Sequence, residues 1–212
     1  MTNKAATLRV GFLPYRPRRP PDKTEMTAIA ADPASDVLHE PAYDRARLLA
    51  WMAEHGIEQA THDHPAVFRV EEGLDLKADL PGLHTKNLFL KDTSGQFYLV
   101  TVLAEKQVDL GALRHLVGAG RFSFGSGDEM VELLGITPGS VTPLAAFNDQ
   151  AGKVQLVLDE VLAAQPRVNV HPLRNTATLG LSGLDLVRLL VRWRHAPLIV
   201  PVPNKAPAAE PS

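Results

Sequence analysis

Two neighbouring β-rich segments constrain the fold of this chain more than any other feature. The segment Leu83–Lys91 is followed by the polar, glycine-containing run 92–96 and then by the apolar segment Phe97–Leu103. Two such segments joined by so short a loop are typical of a β-hairpin. Because side chains alternate along a strand, Lys86 and Asn87 are predicted to point to opposite faces of the sheet.

The remaining patterns interleave helices and strands. Helical spacing with start and stop signals predicts helices over residues 43–55, 109–117, 127–134, 159–165 and 183–193, and a weaker pattern favours one over 70–76. Short apolar runs predict strands at residues 57–62, 154–158, 167–170 and 176–179. Since these elements follow no regular βαβ repeat, the expected class is α+β, with a mixed, mostly antiparallel β-sheet and flanking helices.

Composition excludes several kinds of site. The chain has 212 residues, of which 45% are hydrophobic and 22% charged, as in an ordinary globular protein. It has no cysteine, which excludes disulfides, thiolate zinc sites, iron–sulfur clusters and a cysteine nucleophile. No apolar run reaches the roughly 20 residues that span a bilayer, and the first residues do not resemble a secretory signal. The cytoplasm is therefore the expected location.

Both ends of the chain differ in composition from its middle. Residues 1–25 contain six basic and two acidic side chains, whereas the formal charge of the whole chain is −2. Prolines and arginines in this region favour a disordered extension over residues 1–40, and a basic RNA-contacting arm is the alternative. We predict a domain over residues 41–202 and a disordered tail over 203–212.

Common ligand-binding motifs are missing from the sequence. Neither a dinucleotide-binding glycine motif nor a P-loop is present. His62 and His64 flank Asp63, but no third ligand follows at a recognisable spacing, so no metal site is predicted.

Four segments carry a resemblance to a known family. They are residues 83–92 (LHTKNLFLKD), 122–124 (FSF), 135–143 (GITPGSVTP) and 170–178 (VHPLRNTAT). In this order they resemble the YbaK/EbsC-type aminoacyl-tRNA deacylases, and specifically the prolyl-tRNA editing branch that includes ProX. The resemblance covers roughly residues 40–200.

The resemblance implies a function. It implies hydrolysis of the ester between a wrong amino acid and the terminal ribose of tRNA-Pro, with Ala-tRNA-Pro as the expected substrate and the ribose hydroxyl assisting. It further implies no metal or organic cofactor, no membrane or DNA partner, and prolyl-tRNA synthetase as a further partner to consider. Two alternatives stay open: a non-catalytic tRNA- or synthetase-binding module of the same fold, and a deacylase for Cys- or Ser-charged tRNA.

Three residues are candidates for catalysis. Lys86 matches the lysine that family members share, and its ammonium can bind a phosphate or ribose or stabilise charge near the carbonyl. It is not the expected base, because an unperturbed lysine is protonated at neutral pH. Asn87 can belong to the site or support the neighbouring loop. His171 can relay a proton or bind the ribose, and a purely structural role is its alternative.

Seven further residues are candidates for substrate binding. The loop Gly139, Ser140, Val141, Thr142 and Pro143 matches the Gly-x-x-x-Pro loop of the family, in which main-chain groups can surround the aminoacyl moiety. Arg121 is a candidate contact for the acceptor end, and Asn175 is a polar candidate near His171. A tight turn for the loop and a surface position for Arg121 are the plain alternatives.

Overall fold

The computed structural model describes residues 45–64 and 80–205. The predicted extension over residues 1–40, the predicted helix at 70–76 and residues 206–212 of the predicted tail lie outside the described residues.

The described residues form eight strands and five α-helices. The strands are β1 (Ala60–Asp63), β2 (Leu83–Lys91), β3 (Phe97–Leu103), β4 (Ser123–Phe124), β5 (Val154–Asp159), β6 (Val168–Val170), β7 (Ala177–Leu181) and β8 (Leu198–Val200). The α-helices are α1 (Arg45–Glu54), α2 (Leu110–Leu116), α3 (Gly127–Leu134), α4 (Glu160–Ala163) and α5 (Gly183–Arg192), and a 3-10 helix covers Pro143–Phe147.

One mixed sheet contains all eight strands. Seven lie in the order β1-β7-β6-β2-β3-β5-β8, and β4 pairs with β2 alone. The pairs β1–β7, β6–β7, β2–β3 and β2–β4 are antiparallel, whereas β2–β6, β3–β5 and β5–β8 are parallel. The predicted class, α+β with a mixed and mostly antiparallel sheet, is confirmed.

The predicted hairpin forms with the predicted ends. Strands β2 and β3 pair continuously from Thr85 opposite Leu103 to Lys91 opposite Phe97. Asp92 closes the connecting loop, since its carboxylate accepts hydrogen bonds from the backbone N–H groups of Ser94 and Gln96. A polar loop residue therefore satisfies backbone N–H groups of the turn, and the turn sets the register of the strands.

Apolar side chains form one cluster on each face of the sheet. The first cluster contains Phe89 and Leu99 together with buried residues from α1, α3, α4 and α5. The second contains Leu90 and Val102 and is covered by α2 and by residues near β8. Helices flank both faces, and the hairpin contributes alternate residues to both clusters, as strand alternation requires.

Sequence signals at the helix ends are confirmed. Ser126 and Glu129 form a reciprocal capping box at the start of α3, and Ser182 accepts a hydrogen bond from the Asp185 N–H at the start of α5. Helix α1 ends before Gly56, which has a φ of 66°.

Other boundaries differ from the prediction. The strand expected at residues 57–62 begins three residues later, at Ala60. The sequence patterns did not predict β4, β8 or the 3-10 helix. Residues 203–205 are held to the domain, because the Asp109 N–H bonds to the Pro203 carbonyl and the Lys205 N–H bonds to the Gln107 carbonyl. None of the described helices is long and apolar enough to cross a membrane.

Candidate active site

A gap lies along one side of β2. On this side β6 pairs with Leu83 and His84, and β4 pairs with Leu90 and Lys91. The other side is paired continuously with β3. Among the described residues, no strand is therefore registered on this side of the segment 85–89, which contains Lys86 and Asn87.

Asn87 fastens the predicted substrate loop to the sheet. Its Nδ2 donates to the Val141 carbonyl at 2.9 Å, and its Oδ1 accepts from the Thr101 hydroxyl at 2.8 Å. Both ends of the amide are thus satisfied within the protein. This geometry supports the interpretation of Asn87 as a residue that holds the loop rather than one that meets the substrate.

The loop from Gly139 to Pro143 connects α3 to the 3-10 helix. Gly139 has a φ of 91°, a conformation that favours glycine, and the Ser140 N–H closes a turn onto the Thr137 carbonyl. Thr142 is fully buried and its hydroxyl caps the 3-10 helix by accepting from the Leu144 N–H. The loop is therefore a tight turn that Asn87 holds at Val141.

The paired parts of β2 and β6 lead directly to Lys86 and His171. These parallel strands pair His84 with Asn169. Lys86 lies two residues beyond His84, and His171 lies two residues beyond Asn169, just after β6 ends, so both residues follow the last paired positions of these strands. Strand alternation places Lys86 and His84 on the face opposite to that of Asn87, and the His84 imidazole is a neighbour of His171.

Hydrogen bonding orients the His171 ring. Its Nδ1 lies 3.1 Å from the Ala177 carbonyl oxygen, which can only accept, so Nδ1 carries the proton and Nε2 keeps a lone pair. Burial lowers the pKa of His171, and the neighbouring His64 and His84 imidazoles lower it further, although the Ala177 carbonyl acts in the opposite direction. The neutral imidazole is therefore the favoured form.

The same face of β1, β7, β6 and β2 carries a group of polar side chains, which we call the polar face. The His64 Nε2 lies 3.0 Å from the Thr178 hydroxyl, and the His84 Nε2 lies 3.4 Å from the Asn169 amide nitrogen. The members of the polar face are His62, His64, His84, Lys86, Arg167, Asn169, His171 and Thr178. None of them is acidic, and the described residues hold no cluster suited to a metal ion.

Two predicted substrate contacts lie at different distances from this face. Asn175 is half-buried in the connection between β6 and β7, four residues after His171. Arg121 is exposed and precedes β4, whose register places it beside the loop after β2. Lys91, the last β2 residue that pairs with β4, is five residues along the strand from Lys86, or roughly 17 Å, and Arg121 lies beyond it. The structure therefore does not bring Arg121 together with Lys86 and His171.

The sequence patterns did not identify Arg167, His84, His64, Asn169 and Thr178 as part of one surface. Strand alternation within each segment was visible, but the strand order that unites them was not.

A family model, several known proteins and several solved structures are similar to this chain. Residues 64–189 match the model of the aminoacyl-tRNA editing domain, and this range includes Lys86, the loop and His171. The chain belongs to the aminoacyl-tRNA editing domain family. The match confirms the resemblance that the four sequence segments carried.

Two relatives and one solved structure are similar to this editing domain over most of their length. The prolyl-tRNA synthetase associated domain-containing protein 1 of Xenopus laevis is 40% identical over 161 residues, which cover 74% of this chain and 95% of that protein. The prolyl-tRNA editing protein ProX of Acetoanaerobium sticklandii is 33% identical and covers 68% of this chain and 88% of that protein. A solved structure of a candidate trans-editing enzyme for prolyl tRNA synthetase shares the fold, with a TM-score of 0.59 at 22% identity over 76% of this chain and 98% of that one.

Proposed function

We propose that this editing domain hydrolyses the ester bond of mischarged tRNA-Pro, with Ala-tRNA-Pro as its main substrate. The observation that carries the proposal is the position of Lys86 and His171, each two residues beyond the last paired residues of β2 and β6, at the gap beside β2. Membership of the editing family and the names of the relatives support the same reaction.

Hydrolysis of an aminoacyl ester requires few groups from the protein. An aminoacyl ester is already activated, so the site has to place a water molecule and stabilise the oxyanion that develops on the carbonyl. The Lys86 ammonium supplies positive charge for that oxyanion or for the terminal ribose. The His171 Nε2 accepts a hydrogen bond from the attacking water or from the ribose hydroxyl that assists it. No side chain has to form a covalent intermediate.

The loop supplies selectivity for the amino acid. Asn87 fixes the Val141 carbonyl, so the loop cannot easily widen to admit a larger group. Because a missing methylene changes binding by only about 1–3 kcal/mol, rejection of proline has to be steric. A rigid loop suits that task better than a mobile one.

A panel of charged tRNAs tests the proposal. Purified protein is incubated with Ala-tRNA-Pro, Cys-tRNA-Pro, Ser-tRNA-Pro and Pro-tRNA-Pro, and release of the amino acid is followed. We expect release from Ala-tRNA-Pro with Pro-tRNA-Pro left intact. Faster release of cysteine or serine would reassign the substrate. Binding of tRNA without release of any amino acid would instead identify a binding module, the role favoured by the synthetase-associated names of several relatives.

The pH dependence tests the role of His171. Because burial and the neighbouring histidines lower the pKa of His171, its neutral form persists to a pH below the ordinary value of about 6.5. We expect kcat/KM for Ala-tRNA-Pro to stay level as the pH falls to 6.5 and to decline only in more acidic buffer. His171→Gln should remove this decline and lower kcat/KM by roughly 100-fold or more.

The exposed histidine His115 provides the control for this experiment. His115→Gln should keep both the rate and the acidic decline of the unmodified protein. An unchanged rate and profile in His171→Gln would assign His171 to a structural role.

A further inference from the structure

Arg167 lies across two glycines of the polar face. It directly precedes β6 and shares a face with Asn169 and His171. A Cβ atom added to Gly180 would come within 2.5 Å of the Arg167 Nε, and one added to Gly82 would come within 2.8 Å of its Cγ. Any other residue at either position would collide with the arginine. The two glycines thus form a groove that the Arg167 side chain occupies.

The guanidinium of Arg167 lacks a carboxylate partner within the described part of the chain. Its Nε is buried without a hydrogen bond there, and no salt bridge involves it. Glu58, which is exposed and lies two residues before β1, does not form an ion pair with it either. A partly buried cation without a partner is costly, and an anion is the natural ligand for its planar donor group.

The position of Arg167 relative to Lys86 and His171 indicates which anion. Arg167 precedes His171 by four residues along one strand direction, which corresponds to roughly 13 Å on the same face. The unpaired nucleotides at the 3′ end of a tRNA can span that distance. When the ester lies at Lys86 and His171, a backbone phosphate of a preceding nucleotide can therefore lie over the β6–β7 part of the face.

We propose that Arg167 binds a backbone phosphate of the tRNA 3′ end and thereby positions the terminal ester at Lys86 and His171. This inference rests on the proposed function. Arginine suits the role because its fork of donors matches two phosphate oxygens, which lysine cannot reproduce. Gly180 is required because it leaves room for the guanidinium, and Gly82 is required because it leaves room for the aliphatic stem of the same side chain.

Two substrates separate this role from a structural one. Ala-tRNA-Pro carries the phosphates, whereas the 3′-alanyl ester of adenosine carries the same scissile bond without them. We expect Arg167→Gln to raise KM for Ala-tRNA-Pro about tenfold or more and to leave kcat/KM for the adenosine ester unchanged. The slope of log KM against log salt concentration should fall by about the amount that one phosphate contact contributes.

Gly180→Ala provides a second route to the same effect. The added methyl group displaces the guanidinium, so the loss should again be confined to the tRNA substrate. In the Arg167→Gln background the Gly180 substitution should cause no further loss of this kind. Arg188→Gln, at an exposed arginine of α5, is the matched control and should change neither substrate.

The following outcomes would contradict the role of Arg167 or the proposed function. Equal kcat/KM of Arg167→Gln and the unmodified protein for both substrates would overturn the inference, and so would an equal loss on both substrates together with a lower Tm. If the unmodified protein hydrolyses neither substrate, the proposed function fails. The Kd of Arg167→Gln for uncharged tRNA-Pro then still tests the phosphate contact, and an unchanged Kd overturns it.

Discussion

Replacing Lys86 with methionine is expected to lower kcat/KM for Ala-tRNA-Pro by roughly 100-fold or more. Methionine keeps most of the length of the side chain and its place opposite Val102 in the register, but it removes the ammonium. The lost charge is needed when the ester carbonyl becomes an oxyanion, so kcat should fall more than KM rises. Single-turnover hydrolysis at saturating protein measures this step directly.

Lys91 at the end of the same strand is the matched control. Its ammonium pairs with Glu129 at 2.7 Å and lies on the opposite face of β2. Lys91→Met should leave hydrolysis unchanged and lower stability by about 1 kcal/mol, because the pair is only half-buried and solvent screens it. If Lys86→Met hydrolysed Ala-tRNA-Pro as fast as Lys91→Met, the assignment of the active site to the gap beside β2 would be wrong.

Replacing Lys106 with methionine is expected to lower the free energy of unfolding by about 3–5 kcal/mol. The Lys106 Nζ lies 2.6 Å from the Asp159 Oδ2 and 2.6 Å from the Val202 carbonyl oxygen. Only 2% of the Asp159 side chain is exposed, so the substitution leaves a buried carboxylate without its cation. The same contact ties the turn after β3 to the end of β5 and to the segment after β8.

Urea unfolding measures this loss, and two further variants calibrate it. Lys106→Met combined with Asp159→Leu should recover much of the stability, because the unpaired charge is then gone. Arg188→Ala breaks an exposed pair with Asp185 and should cost less than about 1 kcal/mol. A loss as small in Lys106→Met as in Arg188→Ala would show that water reaches Asp159 in the folded protein.

Local sequence signals predicted the elements whose stability is largely local. The β2–β3 hairpin has its predicted ends because a polar loop with Asp92 and Gly95 joins two long apolar runs. Helix α3 begins at its capping box for the same reason. By contrast, β4 has two residues and β8 has three, and strands so short exist only because neighbouring strands pair with them.

For the site, the sequence alone determined which residue types are available and which face of a strand each occupies. Alternation separated Lys86 from Asn87, and the Asn87–Thr101 hydrogen bond on the opposite face agrees with that separation. The family motifs also pointed to the loop and to His171. Only the tertiary structure decided that Asn87 holds Val141, that Arg121 lies away from Lys86, and that Arg167 joins the polar face. Strand order and register depend on contacts between segments far apart in the chain, and alternation within a single segment carries no record of them.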